Sequence, residues 1–453
     1  MELTNLADGQ SILVLLALAA FAYLTWQKPI HGLYLLTAAL PAYVIRPTFF
    51  GLPTTVLELS ILILFFIWLA KDGRWRRINW RFFHGEQSID NPIPPEFRLA
   101  LSLILVCAGI ALVLSPAPAQ AFGIFKAYFI EPVMYLIVFL YEVRNTRHAE
   151  HIFWLLGLTT IVIGILAFWQ YETGLGITNP FWADAMQRRS TTFFGYPNAN
   201  SLFVTPIVAL YLGYFSKRGS IAVQIFKVGV IALGLITIIA AKTTGALLAI
   251  VILAWILALR LRKARGFFIA VVIIAITLTV HTSDSRGYTA DLMGRIARNE
   301  LDLDSTSLEI RVNQWRETWT MLLDHPVRGG GLANYQQSLA PYHSYDFLEI
   351  YLYPQSLLLN FWSEIGLLGL LAFLWLGVVI FRRLYRALSM APPSADDTAV
   401  VWGVTLAWIV TIIHGLVDVP YFKNDLSILW MLLVGLTIVA TRYTAAGARK
   451  RSN

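Results

Sequence analysis

The chain has 453 residues, 57% of them apolar or aromatic and 14% charged. A soluble domain carries roughly a quarter charged residues, and so few could not cover a soluble surface. The formal charge of +8 sits in short loops between apolar runs, which is the signature of membrane topology and argues against a nucleic-acid partner.

A helix needs about 20 mostly apolar residues to cross the hydrocarbon core. Such windows fall near 10–27, 30–46, 52–70, 99–116, 122–142, 150–170, 199–216, 222–240, 244–260, 266–282, 357–381, 399–419 and 425–441. Backbone groups in lipid must be satisfied within their own segment. The expected fold is therefore all-α: a polytopic membrane helix bundle of about 12–13 transmembrane helices, forming a single integral membrane domain over 1–453. The opening MELTNLADGQ has no basic residue, so the first apolar run reads as a retained helix and not a cleaved signal. Cys107 is the only cysteine and lies in an apolar run, which leaves no intramolecular disulfide and no cysteine metal site.

Lys and Arg give the orientation. Alternate short loops carry Lys71, Arg74, Arg76, Arg77 and Arg81; Arg144 and Arg147; Lys217 and Arg218; Arg260, Arg262, Lys263 and Arg265; and Arg382, Arg383 and Arg386. The tail, with Arg442, Arg449, Lys450 and Arg451, falls on that same side. That side is expected to be cytoplasmic, with 71–98 a basic cytoplasmic loop at the headgroups and the N-terminus outside. Two segments then lie outside, 171–198 and the large loop 283–356. The helical pattern SLEIRVNQWRETWTMLL predicts order in that loop, with a helix over about 306–323 burying Ile310, Trp315, Trp319 and Leu322.

The outer segments hold arginines that topology does not ask for. Arg188 and Arg189 stand in MQRRSTTFFGYPNANSL; Arg311 and Arg316 stand in the helical part of the long loop. Guanidinium groups fork onto phosphate oxygens and hold their charge at any working pH. They suit an anionic, phosphorylated, lipid-linked substrate; headgroup contacts or ion pairs, such as Arg311 with Asp304 or Glu309, are the alternative. Asn198 follows a Pro and either caps a helix starting near Asn200 or contacts substrate. Gly329, Gly330 and Gly331 allow close backbone approach or a flexible turn. His325, His343 and Asp346 could serve as acid or base or simply hydrogen-bond within the loop, and their spacing matches no metal site. Glu364, inside an apolar helix, calls for a role or a partner. His414, Asp418 and Asp425 flank the turn between the last two helices and are available for polar contacts with the long loop.

Three stretches together resemble the O-antigen ligase and O-antigen polymerase-like superfamily of bacterial membrane glycosyltransferases: RSTTFFGYPNANSL, RVNQWRETWTMLLDHPVRGGGLANY and YPQSLLLNFWSEIGLLGLLAF. The resemblance implies that Arg189 and Arg311 engage the diphosphate of a polyprenyl-linked glycan donor; Arg188 and Asn198, from the residue pattern, are expected in the same substrate site. It also implies a glycan, lipid or protein acceptor, no cofactor, and an active face outside the bacterial plasma (inner) membrane. The family pattern Pro-His-Asn reads Pro354-Gln355-Ser356 here. Glutamine positions a hydroxyl but accepts no proton at neutral pH, so His343 or Asp346 is expected to supply the base beside Gln355. Two other readings remain: a non-catalytic glycolipid-binding or scaffold member, favoured by Gln355, and a transporter of lipid-linked glycan. The transporter reading has little beyond Lys126, Glu131 and Glu364 to line a path.

Overall fold

The computed structural model describes residues 9–49, 52–71, 92–217, 219–260, 266, 269, 307–390 and 396–452. The chain is a polytopic all-α bundle. The one strand pairing among the described residues is a two-residue antiparallel hairpin, with Phe49 opposite Leu52. The helices in chain order are α1 (Gly9–Gln27), α2 (Pro29–Ala38), α3 (Val56–Ala70), α4 (Pro95–Val113), α5 (Pro118–Glu142), α6 (Thr146–Thr173) and α7 (Pro197–Tyr214). They continue as α8 (Ile221–Ala240), α9 (Thr244–Arg260), α10 (Ser307–Asp324), α11 (Leu357–Met390), α12 (Asp396–Gly415) and α13 (Asn424–Ser452).

Among the described residues 7 helices are long and apolar enough to cross a membrane, and α1, α3 and α9 are shorter apolar helices. This is a multi-pass membrane protein. The window 30–46 is not one helix: α2 ends at Ala38 and a 3₁₀ turn, Leu40–Val44, carries Pro41 in its first positions, where a missing N–H does no harm. The window at 266–282, apart from 266 and 269, the first part of the long loop (283–306) and most of the basic loop (72–91) lie outside the described residues.

Local chemistry sets the helix starts. Thr55 and Glu58 form a reciprocal capping box on α3. Pro95, Pro118 and Pro197 open α4, α5 and α7, where the absent donor would be unsatisfied anyway. Asn145 and Ser220 cap α6 and α8. The middle of the bundle is α7, α12 and α13, whose apolar residues are buried nearly all round. Helices α7 and α12 run antiparallel in close contact: a Cβ on Gly213 would meet the Gly403 nitrogen at 2.4 Å, the close approach that small residues permit between membrane helices.

The contacts define two ends. At one, Arg383 Nη1 donates to Glu96 at 2.8 Å, Lys217 pairs with Glu150, and the buried Lys227 donates to the Lys217 carbonyl at 2.7 Å. At the other, the segment before α7 meets the α8–α9 turn and the α12–α13 turn. There α10 also covers the start of α11.

Candidate functional site

The segment before α7 is fastened by two amides. Gln170, on the last turns of α6, accepts at Oε1 from the Thr191 and Thr192 nitrogens at 3.1 and 2.6 Å, and donates to the Thr192 carbonyl at 3.0 Å. Asn200, fully buried on α7, accepts from Thr192 Oγ1 at 2.6 Å and donates to the Ser190 carbonyl at 2.8 Å. Thr192 has φ 46°, a strained conformation for a β-branched residue that these bonds hold in place.

The fastening aims Arg189. Its Nε donates to the Ala241 carbonyl at 2.8 Å and its Nη2 to Asn198 Oδ1 at 2.8 Å. Asn198 Nδ2 in turn donates to Asp418 Oδ2 at 3.1 Å. Arg189 Nη1 makes no hydrogen bond among the described residues. Asn198 does not cap α7: the helix starts at Pro197 with Tyr196 at the cap position and no side-chain cap bond. The amide is the link between an arginine and a carboxylate. Arg188, by contrast, turns away. Its guanidinium donates to the carbonyls of Ala183, Tyr171 and Glu172 at 3.2, 3.2 and 2.9 Å, covering the C-terminal, partially negative end of α6.

Arg311 reaches the same place from α10. Its Nε donates to Gln355 Oε1 at 2.5 Å, and Trp315 Nε1 donates to the Gln355 carbonyl at 3.4 Å. Gln355 has φ 46°, a left-handed backbone that costs a non-glycine residue on the order of 1–3 kcal/mol. The Arg311 charge acts on Arg189. Burial and then this like charge lower the Arg189 pKa, against the opposing pull of Tyr196 and Asp418. Lys242, at φ 47° in the α8–α9 turn, is a third cation: burial and the Arg189 charge lower its pKa.

Helix α10 matches its expected span but presents a different face. Ile310 and Trp315 are half-buried and Trp319 is 49% exposed; Leu322 is fully buried as expected. The inward face is mostly polar: Asn313, Gln314, Glu317 and Thr318. The physical reason is that its neighbours are loop backbone and hydroxyls, so burial is satisfied by hydrogen bonds. Gln314 donates to the Tyr353 carbonyl at 3.0 Å, and Thr318 pairs with the Tyr335 hydroxyl at 2.7 Å. His343 belongs to this support. Its Nδ1 meets Glu317 at 3.0 Å and its Nε2 the Leu348 carbonyl at 2.9 Å. Asp346 is exposed. The structure therefore brings Arg189, Asn198 and Asp418 together and Arg311 with Gln355, whereas His343 bonds Glu317 and Leu348 and not Gln355.

The glycine-rich stretch is a strap across a break in α11. Gly366 sits at φ 74° inside that helix. A Cβ there would meet the Val327 carbonyl at 2.2 Å, and one on Gly329, at φ 66°, the Trp362 carbonyl at 2.2 Å. The freed backbone groups pair across the contact: Gly331 N donates to the Ser363 carbonyl at 3.0 Å and Leu367 N to the Val327 carbonyl at 3.2 Å. Glu364 completes the strap by accepting from Ala333 N at 2.8 Å, which is the partner its place in an apolar helix demanded.

Residues 229–374 match a family model described as O-antigen ligase. This segment is O-antigen ligase-like. It contains α10, Arg311, the strap, Gln355 and Glu364, while Arg189 and Asp418 come to the O-antigen ligase-like segment from outside it. No curated protein matches the chain. Four residues of the site escaped sequence reasoning as functional groups: Gln170, Asn200 and Lys242 altogether, and Asp418 as a partner of Asn198. Lys242 carried one signal, a lysine in a short loop of the set that the positive-inside pattern leaves nearly bare.

Proposed function

We propose that the protein is a membrane glycan transferase of the O-antigen ligase type, one integral membrane unit with α10 and Gln355 beside its site. It moves a glycan from a polyprenyl-diphosphate carrier to an acceptor hydroxyl on the extracytoplasmic face of a bacterial plasma membrane. The observation that carries the reading is the chain Arg189–Asn198–Asp418, with Arg311, a cation from a distant part of the chain, near enough to lower the Arg189 pKa. The repulsion of the two arginines, with Lys242 adding to it, is relieved when a multiply charged anion lies between them. Arg189 keeps Nη1 clear of hydrogen bonds among the described residues, and guanidinium groups match phosphate geometry.

In this reading the arginines hold the diphosphate and stabilise the charge it gains as it leaves. The acceptor oxygen attacks the anomeric carbon from the side opposite the diphosphate. The carbon–oxygen bond to the diphosphate breaks, its electron pair goes to the phosphate oxygen, and the configuration inverts. Gln355 orients the donor or acceptor through its amide while Arg311 holds its oxygen. Asp418 takes the acceptor proton: it is the carboxylate joined to Arg189 through Asn198, whereas His343 is committed to Glu317. The test is transfer from a polyprenyl-diphosphate glycan in purified proteoliposomes. Asp418→Asn keeps one oxygen to accept from Asn198 while giving up the bond from Val419 N, and is expected to lose transfer by about a hundredfold or more. Donor binding without transfer by the unaltered protein favours instead the glycolipid-binding reading that Gln355 suggests.

A further inference from the structure

At the end of the bundle opposite the arginine pair, α4, α11 and α13 border a groove of about 410 Å³. Its floor is apolar, formed by Trp375, Val378 and Val379 of α11; its rim is cationic, formed by Arg382, Arg383 and Arg386. The three arginines are not equivalent. Arg383 is engaged, donating through Nε to Thr441 Oγ1 and through Nη1 to Glu96, each at 2.8 Å. Glu96 therefore balances Arg383 alone. Arg382 and Arg386 lie one helical turn apart and are exposed, and their side chains make no hydrogen bond or ion pair among the described residues.

The depth of the groove follows from helix geometry. From the break at Gly366 to Arg386 the helix rises roughly 30 Å, about the thickness of the hydrocarbon core. If the break marks one membrane face, Arg382 and Arg386 stand at the other, at headgroup level. Trp375 and Val378, 46% and 54% exposed, stand one to three turns deeper, among acyl chains. Basic clefts between membrane helices suit anionic headgroups. A zwitterionic lipid would bring its own cation toward three arginines. A free phosphate would leave the apolar floor unused.

We propose that this groove binds an anionic phospholipid, its phosphate bridged by Arg382 and Arg386 and one acyl chain lying along Trp375, Val378 and Val379. The site is separate from the arginine pair and does not depend on glycan transfer. It seats the lipid on α11, the helix that carries Glu364 and the strap.

The experiment is binding by the full chain, delipidated in mild detergent, followed by native mass spectrometry and thermal unfolding. The probes are phosphatidylglycerol, phosphatidylcholine with the same acyl chains, and inorganic phosphate. Phosphatidylglycerol is expected to bind and raise the unfolding midpoint, with phosphatidylcholine and phosphate doing neither. In Arg382→Ala/Arg386→Ala, phosphatidylglycerol affinity falls about tenfold or more, and the midpoint in phosphatidylcholine stays that of the unaltered chain. Equal binding of the two lipids, or unchanged phosphatidylglycerol affinity in the variant, overturns the proposal. An equal effect of inorganic phosphate overturns the lipid and leaves an anion site only. If the alanine variant unfolds, Arg382→Gln/Arg386→Gln carries the test: it keeps polar side chains of similar reach but removes both charges, so phosphatidylglycerol affinity is expected to fall in that folded variant, and unchanged affinity overturns the proposal.

Discussion

Arg311 Nε donates to Gln355 Oε1 at 2.5 Å, so the glutamine standing where the family pattern has histidine is held by an arginine of the proposed diphosphate clamp. A histidine there could accept the same bond through a ring nitrogen and also take up a proton. Gln355→His is therefore expected to keep or raise glycan transfer. Gln355→Gly relieves the backbone at φ 46° and stays folded, but frees Arg311 and lowers transfer at least about tenfold, the scale of one charge-assisted bond. Transfer assays on the two variants check this; equal rates in both would remove Gln355 from the site.

The strap over α11 makes a stability prediction. Both Gly329 and Gly366 have left-handed backbones, and in each a Cβ would come within 2.2 Å of a carbonyl oxygen. Neither neighbour can yield without breaking the backbone pairing. Gly329→Ala and Gly366→Ala should each cost more than about 2 kcal/mol, from the backbone term and the overlap together. Because the two press on one contact, the double variant should lose less than the sum of the single losses. Thermal unfolding in lipid nanodiscs measures this, and an additive double variant would separate the two contacts.

Much of the bundle was legible because membrane helices announce themselves by length and apolarity. Where a window failed, as at 30–46, Pro41 was the visible cause. The face of α10 was not legible. Apolar spacing marks burial against an apolar neighbour, and here the neighbours were Tyr335, Tyr353 and Ser344, which satisfy Gln314, Thr318 and Glu317. The arginines could be picked out because they stand outside the basic side of the topology. Their supports could not. Gln170, Asn200 and Asp418 act through contacts between residues far apart in the chain, and no local spacing encodes those.

His343 gives a pH dependence. Burial alone would lower its pKa, but the hydrogen bond to Glu317, with the Leu348 carbonyl and the Glu317 charge, raises it above the ordinary value of 6.5. The raised folded-state pKa means that the stabilisation is complete below about 6.5, the unfolded value, and is lost as pH rises through the folded value. The loop around α10 should thus resist proteolysis better near pH 6 than near pH 8.5. In His343→Gln that difference should vanish. A loop equally resistant at both pH values would show that the Glu317 contact does not titrate.

The orientation is open to direct labelling. A tag inserted near residue 300 is expected to be reached from outside the cell, and one near 390 only after permeabilisation, because Lys and Arg cluster on the latter side. Access to both from one side would overturn the assignment of the arginine site to the outer face.

Neighbouring arginines supply the sharpest contrast. Arg188 and Arg189 are adjacent in sequence, yet one covers the end of α6 through two of its carbonyls, with a third from Ala183, and the other meets Asn198. Arg188→Ala removes a cation from a helix C-terminus, a loss of about 1 kcal/mol, and should lower the unfolding midpoint while leaving transfer within about threefold of normal. Arg189→Ala should insert and fold but lose transfer by about a hundredfold or more, the scale of removing one group that stabilises developing charge. Arg189→Lys restores the charge without the planar fork and cannot reach Ala241, Asn198 and a phosphate together, so it should recover only a small part of the rate. If instead Arg188→Ala abolishes transfer in a folded protein and Arg189→Ala does not, the anion site lies on the α6 side and the clamp with Arg311 is wrong.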